Sequence, residues 1–391
     1  MGRHGRPTVS RGILGGMEYF GYDVVNIIIT LLVISSVLVP VLYAFVPRQP
    51  QDGTPGKPLV QGANGRYPVF DIMRGIAIFA VVLIHVRYLF PVEWYADIDH
   101  DVLNAFNAIL RFALPIFFIA SGVLLTPPAL RLMPVLRFYG RQLTRIGLPY
   151  AFILALLLVA RGEFDVVYFL RSFFTGEASV PYYFIAVLLQ LYLVYPFIAR
   201  LATKRGWVYV ALGVSIASLL YPPWWNIAGV ESMMPFLFFF VWGIYMRQQL
   251  LEGVVSRSYA PWLVLIGLFL VGYTAFPGPY FNAQIFYGTA MFMLLYLTLT
   301  RVPISGHAAR FFAYAGWMSL WIYLVHFPLQ EVLLPYVFAA TDSGRIALLL
   351  ASAISIPASV AVAYFFAQLY RFSVEKAFAI GTSAARKKGE K

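Results

Sequence analysis

Residues 66 to 90 read Arg66-Tyr-Pro-Val-Phe-Asp71-Ile-Met-Arg74-Gly-Ile-Ala-Ile-Phe-Ala-Val-Val-Leu-Ile-His85-Val-Arg87-Tyr-Leu-Phe90. The stretch is apolar over a length that can cross a bilayer, yet it carries Arg74 and His85. Chargeable side chains are costly in hydrocarbon unless they face a partner or a water-filled cavity. Eleven helical steps of about 100° bring these two to the same face of a helix, about 16 Å apart along the axis. We therefore expect a membrane helix with functional groups on one face.

Composition places the rest of the chain in the membrane as well. Of the 391 residues, 61% are hydrophobic and 12% are charged, and the mean hydropathy is +0.76. A soluble domain of this size needs more charged surface. The net charge of +12 is attributed to basic loops that orient the helices, so no nucleic-acid partner is predicted. The sequence has no cysteine, which excludes disulfides and thiolate chemistry.

Apolar runs recur along the whole chain. Besides the opening stretch, they cover 24–46, 102–126, 146–160, 181–199, 207–222, 233–250, 261–277, 281–300, 310–338 and 345–370. Such a pattern predicts an all-α, polytopic transmembrane helical bundle of about eleven spans. We divide the chain into a tail, an extra span and a Pro/Gly linker (1–68), a ten-helix core (69–372) and a basic cytoplasmic tail (373–391).

Loop charges predict the orientation of this core. The loop at 93–101 is acidic, whereas residues 131–145, taken as the next loop, carry four arginines. Basic loops belong on the cytoplasmic side. Arg74 is therefore predicted near the cytoplasmic face and His85 in the outer half of the membrane. Both ends of the core are then inside, and the extra span puts residues 1–23 outside.

Two histidines, His85 and His326, fall within apolar runs. A histidine beside a cavity is a natural general base because it titrates near neutrality, although a packed histidine bonded to a backbone carbonyl is the alternative. Ser319, Tyr323, His326 and Gln330 recur at helical spacing and form a polar stripe. The stripe is either helix-packing glue or the wall of a cavity, and we favour the wall.

Further arginines extend the list of candidates. Arg111 lies too deep in its predicted span for easy snorkelling, so a carboxylate or an anionic ligand is its expected partner. Arg137, Arg141 and Arg145 recur every four residues on the predicted cytoplasmic side. They reflect the positive-inside rule, a phosphate-binding patch, or both.

Several sites are not predicted. The sequence has no Walker loop, no dinucleotide fingerprint and no cluster of metal ligands, which argues against ATP-driven transport by this chain and predicts no metal site. The pair Ser121-Gly122 is interpreted as close helix packing, since no base can be assigned beside the serine.

Four short motifs carry a resemblance to a known family. Phe70-Asp71-Ile-Met-Arg74-Gly75 followed by His85, Phe117-Phe118-Ile-Ala-Ser121-Gly122, Arg141-Gln-Leu-Thr-Arg145 and Tyr323-Leu-Val-His326 occur in this order. Together they resemble the signature of the acyltransferase 3 family of integral membrane acyltransferases, over about residues 70–372. The extra span before the first motif departs from the family pattern.

The resemblance implies ten helices in the bacterial inner membrane and the transfer of an acyl group, commonly acetyl, from cytoplasmic acyl-CoA. The acceptor it implies is a hydroxyl of an envelope glycan, an exopolysaccharide or a lipid-linked precursor. The acyl-CoA is a co-substrate, and no bound cofactor is expected. Membrane lipid and a carbohydrate acceptor are the other expected partners.

On this basis each candidate residue receives an expected role. Arg74 would neutralise part of the CoA or orient the thioester, and His85 would deprotonate the acceptor or transiently take the acyl group. The CoA phosphates would be held by Arg141 and Arg145, with Arg137 beside them. The remaining candidates, on the substrate side, are Asp71, Arg111, Ser319, Tyr323, His326 and Gln330.

Two other functions stay open at this point. Buried arginine and histidine side chains that line a cavity also suit an exporter of a polar glycan or of a lipid-linked precursor. A structural subunit of a synthase complex is the third interpretation, and it predicts no polar face on which function depends.

Overall fold

A computed structural model of the chain describes residues 66–91, 94, 100–220, 226–227, 230–253, 255, 258–275, 281–301 and 306–389. The predicted first span at 24–46 and the linker before residue 66 lie outside the described residues.

Helices make up nearly all of the described structure. In chain order they are α1 (Pro68–Leu89), α2 (His100–Leu110), α3 (Ala113–Leu124), α4 (Leu132–Gln142), α5 (Leu148–Ala160), α6 (Val166–Thr175), α7 (Tyr183–Leu201), α8 (Arg205–Leu220), α9 (Leu237–Glu252), α10 (Ala260–Ala275), α11 (Phe281–Arg301), α12 (His307–Trp317), α13 (Ser319–Ala339) and α14 (Gly344–Gly389). A two-residue antiparallel ladder pairs β1 (Asn226–Ile227) with β2 (Val230–Glu231). The predicted all-α fold class is confirmed.

Within the described residues, six stretches are long and apolar enough to cross a membrane. They are Pro68–Leu89, Leu103–Leu124, Leu132–Ala160, Val180–Leu201, Ser319–Ala339 and Gly344–Ser373. Helices α8, α9 and α10 have 16 residues each, fewer than the roughly 20 that a full crossing needs. The chain is therefore a multi-pass membrane protein, and the exact number of ten core helices stays a prediction.

The basic loop predicted before residue 146 is wrong. Residues 132–142 form α4, and a π-helical turn, Leu143–Gly147, joins α4 to α5 without a break. Apolar side chains alternate with the arginines in α4, and Leu132 and Met133 are largely exposed. Arginines interleaved with apolar residues are compatible with an amphipathic helix, so a high arginine content did not mark a loop here.

Two other boundaries differ from the sequence prediction. The apolar run at 310–338 contains two helices, α12 and α13, which meet at Met318 (φ −83°, ψ 0°). The segment between the apolar runs predicted at 146–160 and 181–199 contains α6. That helix is capped by the Asp165 side chain, which accepts a hydrogen bond from the backbone N–H of Tyr168 at 2.9 Å.

Helix α1 lies at the centre of the bundle and packs against α3, α12, α13 and α14. It begins with Pro68, whose fixed φ suits the first turn of a helix. Its contact with α12 is made backbone to backbone. A Cβ on Gly75 would overlap the carbonyl oxygen of Phe312, and a Cβ on Gly316 would overlap that of Asp71. Only glycine at these two positions lets the motif-bearing helix approach α12 so closely.

A second glycine contact joins α3 to α9. A Cβ on Gly122 would overlap the carbonyl oxygen of Phe240, and a Cβ on Gly243 would overlap that of Ile119. The interpretation of Gly122 as a close-packing residue is confirmed. Small residues are the usual means by which membrane helices approach one another.

Candidate functional site

The two membrane histidines lie side by side. His85 projects from α1 and His326 from α13, and the Nδ1 atom of His85 is 3.2 Å from the Nε2 atom of His326. The imidazole rings meet edge to face, with centroids 5.0 Å apart. His326 is completely buried, whereas His85 is half-buried. His85 is therefore the more accessible of the two histidines.

Backbone carbonyls fix the hydrogens of this pair. The Nδ1 atom of His326 lies 2.7 Å from the carbonyl oxygen of Tyr323 and 3.2 Å from that of Ile322, so it carries a hydrogen and donates it. In the neutral ring, Nε2 of His326 is then an acceptor. The Nδ1 atom of His85 lies 2.8 Å from the carbonyl oxygen of Val81 and donates its hydrogen to that oxygen and to His326.

This assignment leaves the Nε2 atom of His85 without a hydrogen. Its lone pair is therefore free to take a proton, which is the requirement for a general base. When Nε2 is protonated, the Nδ1 hydrogen stays bonded to Val81 and His326. His326 thus orients the ring of His85 and is not itself the basic atom.

The polar stripe of α13 divides between two environments. Ser319 and Tyr323 line a cavity, while His326 and Gln330 are completely buried against α1. Gln330 donates a hydrogen bond from Nε2 to the carbonyl oxygen of Val82 at 3.0 Å. Its Oε1 atom is buried and has no hydrogen-bond partner among the residues that the structure describes, which is an unusual state for an amide oxygen. One half of the stripe is therefore part of a cavity wall, and the other half packs α13 against α1.

Arg74 and Asp71 form an ion pair one turn apart on α1. Asp71, expected on the substrate side, is buried and is the partner of Arg74. The Arg74 side chain lines the cavity, and its Nε–H group is buried without an acceptor among the described residues. An orphaned donor of a charged group beside a cavity is suited to bind a polar ligand there.

The cavity has a volume of about 410 Å³, in the range of small-molecule sites. Its inner end is aromatic, formed by Phe117, Phe184 and Tyr323. The Tyr323 ring also contacts His326, with centroids 5.6 Å apart, and its hydroxyl donates to the carbonyl oxygen of Pro181. His85 does not line the cavity, so the ring of Tyr323 separates the cavity from the histidine pair.

The lining of this cavity is strongly cationic. Among the described residues, four arginines and no carboxylate line it; the arginines are Arg66, Arg74, Arg145 and Arg371. Arg145 is positioned by the π-helical turn, and such turns often occur at functional sites. Arg137 and Arg141 are exposed on α4 and do not line the cavity.

Arg111 lies in the short break between α2 and α3, away from the cavity lining. It acts electrostatically on the Tyr183 hydroxyl, as does Glu231. Burial raises the pKa of the Glu231 carboxyl above its ordinary value. Arg111 is thus associated with a polar region near β2 and not with the cavity.

Two cavity arginines, Arg66 and Arg371, were missed by the sequence reasoning. Each stands at the end of an apolar run, where an arginine is ordinarily explained by the membrane interface. Arg66 and Arg371 are far apart in the sequence, and only the tertiary fold brings them to the same cavity. Among the described residues, no three His, Asp, Glu or Cys side chains are grouped in a way that could hold a metal ion.

Comparisons with known proteins agree with the motifs. A family model described as an acyltransferase domain, acyltransferase 3, matches residues 67–368. The nodulation protein NolL of Sinorhizobium fredii (strain NBRC 101917 / NGR234) is 30% identical over 161 residues, which are 40% of this chain and 43% of that protein. The chain thus spans less than half the length of this curated relative. No solved structure matches the chain.

Proposed function

The chain belongs to the acyltransferase 3 family of membrane acyltransferases, and from this premise we propose that it O-acylates a carbohydrate. The acyl group is acetyl and its donor is cytoplasmic acetyl-CoA. The acceptor is a hydroxyl of an envelope glycan, an exopolysaccharide or a lipid-linked precursor. The enzyme works in the bacterial inner membrane.

The observation that carries this proposal is the His85–His326 pair beyond the inner end of an arginine-lined cavity. Acyl transfer to a hydroxyl needs a base for the hydroxyl proton and cationic groups for an anionic donor. Both are present, and they are separated by one aromatic ring, that of Tyr323. An anionic donor and a neutral acceptor can therefore approach the base from different directions.

In the proposed reaction, the Nε2 atom of His85 takes the proton of the acceptor hydroxyl. The acceptor oxygen attacks the carbonyl carbon of the thioester, and a new C–O bond forms. The C–S bond then breaks, and the proton on His85 passes to the leaving CoA sulfur. His326 accepts the Nδ1 hydrogen of His85 throughout and stabilises the imidazolium form.

The donor occupies the cavity with its thioester at the aromatic inner end. Arg74 contributes its unpartnered Nε–H group to a carbonyl of the pantetheine arm or of the thioester. Arg145 binds the diphosphate, and Arg137 and Arg141 attract the donor from the exposed face of α4. Because Tyr323 lies between the cavity and His326, its side chain must rotate before the carbonyl can reach His85.

The acceptor approaches from the side of α13 that carries Gln330. The unpartnered Oε1 atom of Gln330 accepts a hydrogen bond from a second hydroxyl of the acceptor. Ser319 lines the donor cavity and belongs with the donor. Arg111 stays a candidate for the acceptor side because it lies in the polar region near Glu231.

The test uses purified full-length protein in detergent, radiolabelled acetyl-CoA and a crude envelope-glycan acceptor. We expect transfer of label by the wild type and a loss of about 100-fold or more in His85→Ala, since a general base contributes about 10²–10⁴-fold. His307→Ala is the matched control, because His307 is exposed at the start of α12 and should retain full activity. Normal turnover by His85→Ala would refute the base, and no transfer by the wild type from any acyl-CoA would refute the donor.

A further inference from the structure

The outer part of the cavity carries more arginines than the transfer reaction alone requires. Three of its four arginines are exposed, Arg66, Arg145 and Arg371. None of these forms an ion pair with a carboxylate in the described part of the chain. Three uncompensated cations at one opening are more than a single phosphodiester or phosphomonoester needs.

The arginines lie on two walls of different character. The wall formed by α4, the π-helical turn and α5 carries Arg145 with the polar side chains Gln142 and Thr144. Such a set of donors suits phosphate oxygens and offers no aromatic surface at the opening. This wall is suited to the diphosphate of a nucleotide.

The other wall combines aromatic rings with cations. It is formed by the junction of α12 and α13, by α14 and by the residues just before α1, and it carries Trp317, Trp321, Tyr370, Arg371 and Arg66. The guanidinium of Arg66 lies 5.9 Å from the centroid of the Trp317 ring. Trp321 and Tyr370 contact each other with centroids 5.3 Å apart.

Exposure distinguishes the roles of these rings. Trp317 is 43% exposed, whereas Trp321 and Tyr370 are half-buried and held by each other. The Arg66 guanidinium lies over the Trp317 ring, and an exposed indole that holds a cation in this way is a surface on which a planar base can stack. A purine and a phosphate attached to the same ribose need this combination of groups.

We propose that this second wall is a binding site for the nucleotide end of the donor, with the adenine ring on Trp317 and the 3′-phosphate on Arg66 and Arg371. The inference rests on the proposed function, since it takes a CoA thioester as the donor. It goes further by making the 3′-phosphoadenosine a recognised group. A donor that carries only phosphopantetheine, as on a carrier protein, would leave this wall empty.

The test is equilibrium binding to purified full-length protein in detergent, with CoA, 3′-dephospho-CoA and 4′-phosphopantetheine as the probes. We expect the wild type to bind CoA about tenfold more tightly than dephospho-CoA, because a charge-assisted phosphate contact is lost. Arg371→Gln and Arg66→Gln should weaken binding of CoA and leave the affinity for dephospho-CoA unchanged. Trp317→Ala should weaken the binding of CoA and of dephospho-CoA but not the binding of phosphopantetheine. Trp317→Phe should recover most of the affinity for both nucleotides.

Arg310→Gln is the matched control, because Arg310 is an exposed arginine of α12 that does not line the cavity. Its affinities for all three probes should equal those of the wild type. Equal binding of CoA and dephospho-CoA by a protein that transfers acetyl from acetyl-CoA would overturn the nucleotide site alone. Failure of all three probes to bind, together with no transfer, would overturn the CoA donor and the site with it.

Discussion

The Nε2 atom of His326 lies 3.2 Å from the Nδ1 atom of His85 and can only accept a hydrogen bond, because the Nδ1 atom of His326 donates to a backbone carbonyl. His326, which the sequence analysis placed on the substrate side, thus contacts the proposed base instead. The interaction joins α1 to α13 across the centre of the bundle. Substitutions of His326 that keep or remove the hydrogen-bond acceptor can separate the effect of this contact on catalysis from its effect on helix packing.

Replacing His326 tests this positioning role. His326→Phe fills the same space but cannot accept the Nδ1 hydrogen of His85, and we expect kcat to fall about 10–100-fold, the value of a hydrogen bond to a charged group. The KM for acetyl-CoA should change little, because His326 does not line the cavity. His326→Gln, whose amide oxygen can accept the same hydrogen, should recover part of kcat. Steady-state kinetics of the three proteins check the prediction, and a rise in KM without a change in kcat would contradict it.

Arg74 is expected to act through its Nε–H group as well as its charge. Arg74→Lys keeps the charge but removes the buried donor that has no protein acceptor in the described structure. We expect the KM for acetyl-CoA to rise about tenfold, corresponding to about 1.4 kcal/mol. Arg310→Lys, an exposed arginine of α12, is the control and should match the wild type in KM. Equal KM values for all three proteins would remove Arg74 from the donor site.

The sequence predicted the helical class, the motif-bearing helix and most candidate side chains, because these depend on local hydropathy and helical spacing. It did not predict that His326 would orient His85, since the two are 241 positions apart and their contact depends on how α13 packs on α1. Local pattern also misled in one place. The arginines of α4 were taken for a loop, although their apolar neighbours are spaced as in an amphipathic helix.

The glycines between α1 and α12 are predicted to control stability. In Gly316→Ala the new methyl group would overlap the carbonyl oxygen of Asp71, so the two helices must separate and the protein should lose about 1–3 kcal/mol or more. Gly213→Ala in α8 is the matched control, since a Cβ there meets nothing within 4 Å and alanine favours the helix. Thermal unfolding in detergent should show a lower Tm for the first variant and an equal or higher Tm for the second. The reverse order would contradict the close packing of α1 on α12.

Glu231 should make stability depend on pH. Burial raises the pKa of its carboxyl in the folded protein above the ordinary value of 4.5, so the folded state holds this proton more tightly than the unfolded state does. Stability contributed by this group is therefore greatest below pH 4.5, declines as the pH rises through the raised pKa, and is constant above it. Glu231→Gln should have a higher Tm than the wild type at pH 7 and a smaller dependence on pH.

Melting curves of both proteins from pH 4 to pH 8 check this prediction about Glu231. Glu163→Gln is the control, because Glu163 is exposed between α5 and α6 and its replacement should leave the pH dependence of the wild type intact. Parallel curves for the wild type and Glu231→Gln would show that burial of this carboxyl has no influence on folding.

Gln330 is predicted to bind the acceptor. Within the described part of the chain its Oε1 atom is buried without a partner, while its Nε2 atom donates to the carbonyl oxygen of Val82, one turn from His85 on α1. Gln330→Leu removes the oxygen that is proposed to accept a hydrogen bond from an acceptor hydroxyl. We therefore expect the KM for the glycan acceptor to rise about tenfold while the KM for acetyl-CoA stays constant. Gln248→Leu on α9, where the native side chain is exposed and bonded to Glu252, is the matched control. Two-substrate kinetics distinguish the effects, because a residue that only packs α13 against α1 would alter both constants together, whereas an acceptor contact alters one.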